Sequence, residues 1–88
     1  MNEKLRILIV EDEEPIRKGL VDLFIFHGYD VESCSCGSKG LELGLSGQFD
    51  LIVLDVMLPN LDGYSICNAL REKSRSQAII LLTAKASE

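Results

Sequence analysis

Four oxygen-bearing side chains stand at the ends of apolar runs. Glu11 and Asp12 follow directly on the aliphatic segment L-R-I-L-I-V, with Glu13 and Glu14 behind them. Asp55 interrupts L-I-V-L-D-V, in which the other five residues are aliphatic, and Thr83 follows A-I-I-L-L. An ionised carboxylate withdrawn from water is costly unless it is paired, so Asp55 requires a partner. A carboxylate is also a nucleophile that can take a phosphoryl group as an acyl phosphate. Such a transfer needs in-line positioning and neutralised oxygens more than it needs a base. Oxygen donors with no His or Cys among them favour Mg²⁺, Ca²⁺ or Mn²⁺, and Mg²⁺ commonly takes one or two carboxylates together with phosphate oxygens and water. The expected chemistry is therefore phosphoryl acceptance at Asp55, with Mg²⁺ held by Asp12 and Asp55 and the Thr83 hydroxyl on a phosphoryl oxygen. Taken singly, each residue has a plainer reading. Glu11 to Glu14 are acids of the kind favoured at a helix N-terminus, Asp55 is a strand-end turn residue, and Thr83 is unremarkable. Their occurrence together, in this order, favours the chemical reading.

The elements that must position them are short. Leu5–Val10, Tyr29–Ser35, Leu51–Val56 and Ala78–Leu82 read as strands, the second less hydrophobic and so expected at an edge. Pro15 suits the first helical position. Ile16, Leu20, Leu23, Phe24 and His27 then make an apolar stripe, with His27 in the last turn to complement the helix dipole, and Gly28 is the stop. Val21 and Ile25 fall off that stripe. A second helix is expected over Cys36–Ser46. Gly37, Gly40, Gly44 and Gly47 make it the softest element, since an interior glycine costs ~1 kcal/mol relative to alanine. Asp62 is placed to cap a third helix over Gly63–Lys73 with Ile66, Cys67 and Leu70 inward. The βαβαβαβ order predicts an α/β fold, a parallel sheet with helices on both faces. In such sheets working groups collect at the carboxyl ends of the strands. If the first and third strands are neighbours, Glu11, Asp12 and Asp55 converge.

Composition excludes several classes. The 47% hydrophobic and 26% charged content belongs to a folded chain rather than a disordered one. A net charge of −5, from 14 acidic and 9 basic residues, argues against a nucleic-acid surface. No apolar run approaches the ~20 residues that span a bilayer, and the N-terminus lacks a signal-peptide layout. Cys34, Cys36 and Cys67 form no C-x-x-C pair, so structural thiols in a reducing cytoplasm are expected rather than a disulfide framework or zinc site.

The chain closely resembles the receiver domains of two-component response regulators. I-L-I-V-E-D-E, D-L-I-V-L-D-V-M-L-P-N-L-D-G and I-I-L-L-T-A-K carry the resemblance, which extends over essentially the whole sequence. It implies a flavodoxin-like sheet, of order 2-1-3-4 in this chain, with the family's fifth strand absent. Asp55 corresponds to the phosphoacceptor and Thr83 to the switch hydroxyl, with Ala84 the small residue behind it. Asp12 would bind Mg²⁺ directly and Glu11 through water, and the Met57 carbonyl would be the third protein ligand. A sensor histidine kinase or phosphotransfer protein is the implied partner, without nucleic acid or membrane. The chain is read as one domain, 1–88, incomplete at its C-terminus. The family's fifth-strand lysine and switch aromatic have no counterpart, and Lys85 does not occupy that position. A homo-oligomer or domain-swapped dimer is expected if the chain ends at Glu88. The alternative is an interaction or self-association module without phosphotransfer. An enzyme is not expected: a dehalogenase-type phosphatase would need D-x-D after the first strand, where Asp12 is followed by Glu13 and Glu14. Flavin binding is disfavoured because no Ser/Thr/Gly-rich phosphate loop follows the first strand.

Overall fold

The computed structural model describes residues 4–59 and 61–83. Four pentapeptides form the sheet, three of them mainly aliphatic: β1 (Arg6–Val10), β2 (Asp30–Cys34), β3 (Leu51–Asp55) and β4 (Ala78–Leu82). Between them run α1 (Glu14–Phe26), α2 (Gly37–Leu45) and α3 (Gly63–Lys73). The strands are parallel in the order β2-β1-β3-β4, with β1 and β3 side by side as the convergence of the acids requires. The polar strand β2 lies at one edge.

Alternate residues of a strand face opposite ways, and the core divides accordingly. Leu8, Val10, Ile52 and Leu54 pack with Ile66 and Leu70 of α3 and with Leu41 and Leu45 of α2. Phe49 and Leu58, which flank β3, are buried in the same cluster. On the other face Ile7, Ile9 and Val53 meet Leu20, Val21 and Phe24 of α1. Helices therefore cover both faces.

The apolar stripe of α1 differs from the expected one. Val21 is inside it, while Ile16 and Leu23 are exposed and no residue of the helix is fully buried. Among the described residues α1 is the one helix on its face of the sheet, so only a narrow band of its surface finds strands beneath it. His27 lies just past the helix rather than in its last turn. It is the C-cap, its N–H bonds to the Leu23 and Phe24 carbonyls, and its ring stands edge-on to Phe26. Gly28, at φ 92°, makes the left-handed step that ends the helix.

The glycines of α2 are its packing face. Gly37, Gly40 and Gly44 are its buried residues, and a Cβ at Gly40 would stand 2.7 Å from both methyls of Val10. Their propensity cost is real, but it permits a close approach to Val10 of β1 at Gly40, to Ile52 and Leu70 at Gly44, and to Leu61 and Ile66 at Gly37.

Candidate functional site

Where β1 and β3 end, the chain turns acidic. Val10 is in register with Leu54, which brings Glu11 abreast of Asp55. Oxygens of Glu11, Asp12 and Asp55 lie within 4.8 Å of one another. Glu11 is 1% exposed and Asp55 0%, while Asp12 is partly open to solvent. Glu11 accepts the Glu13 N–H on Oε2 at 3.0 Å, and its own N–H donates to the Cys34 carbonyl at 3.1 Å, which ties the acidic turn to β2. Asp55 Oδ1 accepts the Met57 N–H at 3.0 Å, a local turn of the kind aspartate favours. Met57 itself is exposed beside the cluster.

Thr83 emerges directly after β4. The register pairs Asp55 with Leu82, and the Leu82 carbonyl accepts the Val56 N–H at 3.2 Å, so Thr83 leaves the sheet one residue beyond the partner of Asp55. Ala84 lies outside the described residues.

Three carboxylates this close repel one another, and two of them are shielded from water that would screen the repulsion. A hard divalent cation offsets it. The donor set, all oxygen and with one member reaching solvent, fits Mg²⁺, which keeps several waters and uses few protein ligands.

Two residues that shape the site carry no chemistry of their own and escaped the sequence reading as such. Gly63 opens α3 against the end of β3: its N–H donates to the Val56 carbonyl at 3.0 Å, and a Cβ there would lie 2.5 Å from both the Asp55 carbonyl oxygen and Val56 Cα. Arg17, on α1, donates from Nη1 to the main-chain carbonyls of Glu11 (3.0 Å) and Asp12 (3.5 Å). Asp62 caps α3 as expected, Oδ1 accepting the Ser65 N–H at 2.9 Å and Oδ2 the Ser65 hydroxyl at 3.2 Å.

The family model for the response regulator receiver domain matches residues 7–88. The chain belongs to that family. As a receiver it is 46% identical over 80 residues to the transcriptional regulatory protein PcoR of Escherichia coli, a stretch that is 91% of this chain and 35% of PcoR. Its fold matches the non-phosphorylated HemR receiver domain of Leptospira biflexa at a TM-score of 0.87 and 33% identity, covering 97% of this chain and 68% of that one. TrrA of Thermotoga maritima matches as its complex with Mg²⁺-BeF (TM-score 0.87) and as its complex with the histidine kinase ThkA (TM-score 0.84). Both are 35% identical and cover 93% of this chain and 71% of TrrA. The receiver thus spans about a third of the length of PcoR.

Proposed function

We propose that Asp55 accepts a phosphoryl group from the phosphohistidine of a sensor kinase or phosphotransfer protein. The observation that carries this reading is the convergence of the buried Asp55 with Glu11 and Asp12 at the carboxyl end of the sheet. TrrA, bound to Mg²⁺-BeF in one structure and to a histidine kinase in another, supports both the cation and the partner. A carboxylate oxygen of Asp55 attacks phosphorus, the P–N bond breaks as the P–O bond forms, and the histidine nitrogen leaves. Asp12 and Asp55 would hold Mg²⁺ directly, with Glu11 acting through water and Met57 through its carbonyl, and the ion would supply charge neutralisation of the phosphoryl oxygens. The Thr83 hydroxyl then donates to a phosphoryl oxygen. In this reading the receiver acts as a phosphoryl acceptor, and its 88 residues cover 68% of the HemR receiver chain. An acidic net charge gives no nucleic-acid surface. Among the described residues no helix is long and apolar enough to cross a membrane, and the three cysteines are free thiols, which suits a reducing cytoplasm. An interaction module without phosphotransfer is the weaker reading, because it leaves the buried acids without a purpose.

Self-association is proposed through β4, an edge strand among the described residues, where Ile80 is 49% exposed. Light scattering should show a dimer, and a monodisperse monomer would remove this part of the reading. The phosphoryl proposal is tested by incubating the chain with Mg²⁺ and a small-molecule phosphodonor and weighing the intact protein. Wild type gains one phosphoryl group and Asp55→Asn gains none. Equal uptake by both, or uptake unaffected by chelation, refutes it.

A further inference from the structure

We infer that Arg17 is a positioning residue for the metal-binding carboxylates, an inference that rests on the proposed Mg²⁺ site. Glu11 and Asp12 lie between the end of β1 and the start of α1, on the residues that turn the chain away from the sheet. Carboxylates on such a turn converge only if the turn itself is held. Glu11 is held on one side by β2, through its N–H and the Cys34 carbonyl. The other side is held from α1: the guanidinium of Arg17 reaches back over one helical turn and binds the carbonyls of both acidic residues at once. A single guanidinium nitrogen, Nη1, bridges the two carbonyls, closely at Glu11 and at the outer limit of a hydrogen bond at Asp12; a lysine ammonium ends one bond sooner along the side chain and falls short of that bridging position. Arg17 also anchors its own position, since its main-chain N–H bonds to the Glu13 carbonyl at 2.9 Å in the first turn of α1.

A cation beside a divalent-cation site would, through charge alone, weaken metal binding. A clamp on the turn acts with the opposite sign. Removing the guanidinium therefore separates the two roles by direction and not merely by size. Groups that orient metal ligands without touching the metal typically control ~10–100-fold of its affinity, and the lower end applies to a turn that β2 still holds on one side.

Isothermal titration of Mg²⁺ into the full 88-residue chain tests this, with wild type, Asp12→Asn, Arg17→Ala and Arg17→Lys, each checked for its helical circular dichroism. Binding by wild type and its loss in Asp12→Asn establishes the site. Arg17→Ala should then bind Mg²⁺ about tenfold more weakly, and Arg17→Lys, with the same charge but a shorter reach, should recover only part of that loss. In phosphodonor assays the half-saturating Mg²⁺ concentration should rise in Arg17→Ala while the rate at saturating Mg²⁺ stays within about twofold of wild type, since the reacting groups are intact. Unchanged or tighter binding in Arg17→Ala overturns the role of Arg17 and leaves the metal site standing. No binding by wild type overturns both. If Arg17→Ala does not fold, Arg17→Lys decides: several-fold weaker binding supports the clamp, and wild-type affinity overturns it.

Discussion

Gly63→Ala adds a single methyl group at the junction of α3 with the end of β3, and two opposing effects follow. As the first residue of α3, with no positive φ, Gly63 is a position where alanine is conformationally preferred by up to ~1 kcal/mol. Against this stands the overlap: Asp55 carbonyl oxygen and Val56 Cα at 2.5 Å, and the Asp55 carbonyl carbon at 3.0 Å. Ordinary contact distances are about 3.5–4.0 Å, so roughly 1 Å of separation must be found. All three atoms are main chain, and none can swing aside by changing a rotamer. Overpacking of this kind typically costs ~1–3 kcal/mol, and immobile neighbours place it toward the upper end. The net expectation is a destabilisation of about 1–2 kcal/mol, which in a domain of this size lowers the melting temperature by roughly 5–15 °C.

Gly19→Ala is the internal comparison. Gly19 lies within α1, exposed, and a Cβ there would have nothing within 4 Å. Only the propensity gain remains, so the variant should be stabilised by about 0.5–1 kcal/mol. Thermal unfolding of the three proteins in chelator reads both effects, and Mg²⁺ titration of Gly63→Ala reads the displacement of Asp55 as weakened binding. A Gly63→Ala protein that melts as high as Gly19→Ala would show that the junction yields freely, and the close-approach argument would fail.

Other consequences can be read as directly. Hydrogen bonds from the Ser65 N–H and hydroxyl lower the pKa of the Asp62 carboxyl, with burial opposing. A depressed carboxyl contributes stability that is complete above its ordinary value of 3.8 and lost as the pH falls through the lower folded value. Asp62→Ala should therefore melt below wild type at neutral pH, with the gap closing in acid; a gap independent of pH refutes the assignment. Cys36 lies at the start of α2, where the Lys39 amide and then the Ser38 hydroxyl favour its thiolate, whereas burial pushes Cys34 up to about 11. Alkylation at neutral pH followed by peptide mapping should find Cys36 labelled well before Cys34, and the reverse order would contradict these environments. Ile80→Lys places a charge on the exposed flank of β4, and light scattering should then show the 88-residue chain as a monomer if that edge is the contact.

Much of the site was legible because burial and charge conflict visibly in a sequence. Asp55 among aliphatic residues, and Glu11-Asp12 at the end of another such run, announce their strand ends, and the alternation of elements supplies the parallel sheet that joins them. Arg17 gave no such signal. Its acceptors are main-chain carbonyls, which every residue carries, so no pattern of residue types records the contact. Glycine shows a similar blindness: Gly40 and Gly63 advertise a conformational cost in sequence, while the atoms they admit, Val10 thirty residues away in one case and the Asp55–Val56 backbone across a loop in the other, belong to other elements or turns that the glycines themselves do not reveal. The stripe of α1 was misjudged at Ile16, Leu23 and Val21 because its width depends on how many strands lie beneath the helix, a tertiary quantity that periodicity does not contain.

Val56 connects these observations. Its N–H donates to the Leu82 carbonyl, immediately before Thr83, and its carbonyl accepts the Gly63 N–H at the start of α3. Both main-chain groups of the residue after Asp55 are therefore committed to other elements. Atoms packed at the separations found around Gly63 have little slack, and a displacement of the Asp55–Val56 peptide must pass to β4 and α3 together or break one of these bonds. Asp55 is buried, and its Oδ1 is bound by the Met57 N–H, so charge added to its carboxylate acts directly on the loop that Val56 begins. The end of β4 carries the hydroxyl proposed to meet the phosphoryl group, and the same peptide holds the helix that flanks it. The Asp55 carboxylate is thus mechanically coupled to two elements through a single residue whose side chain takes no part.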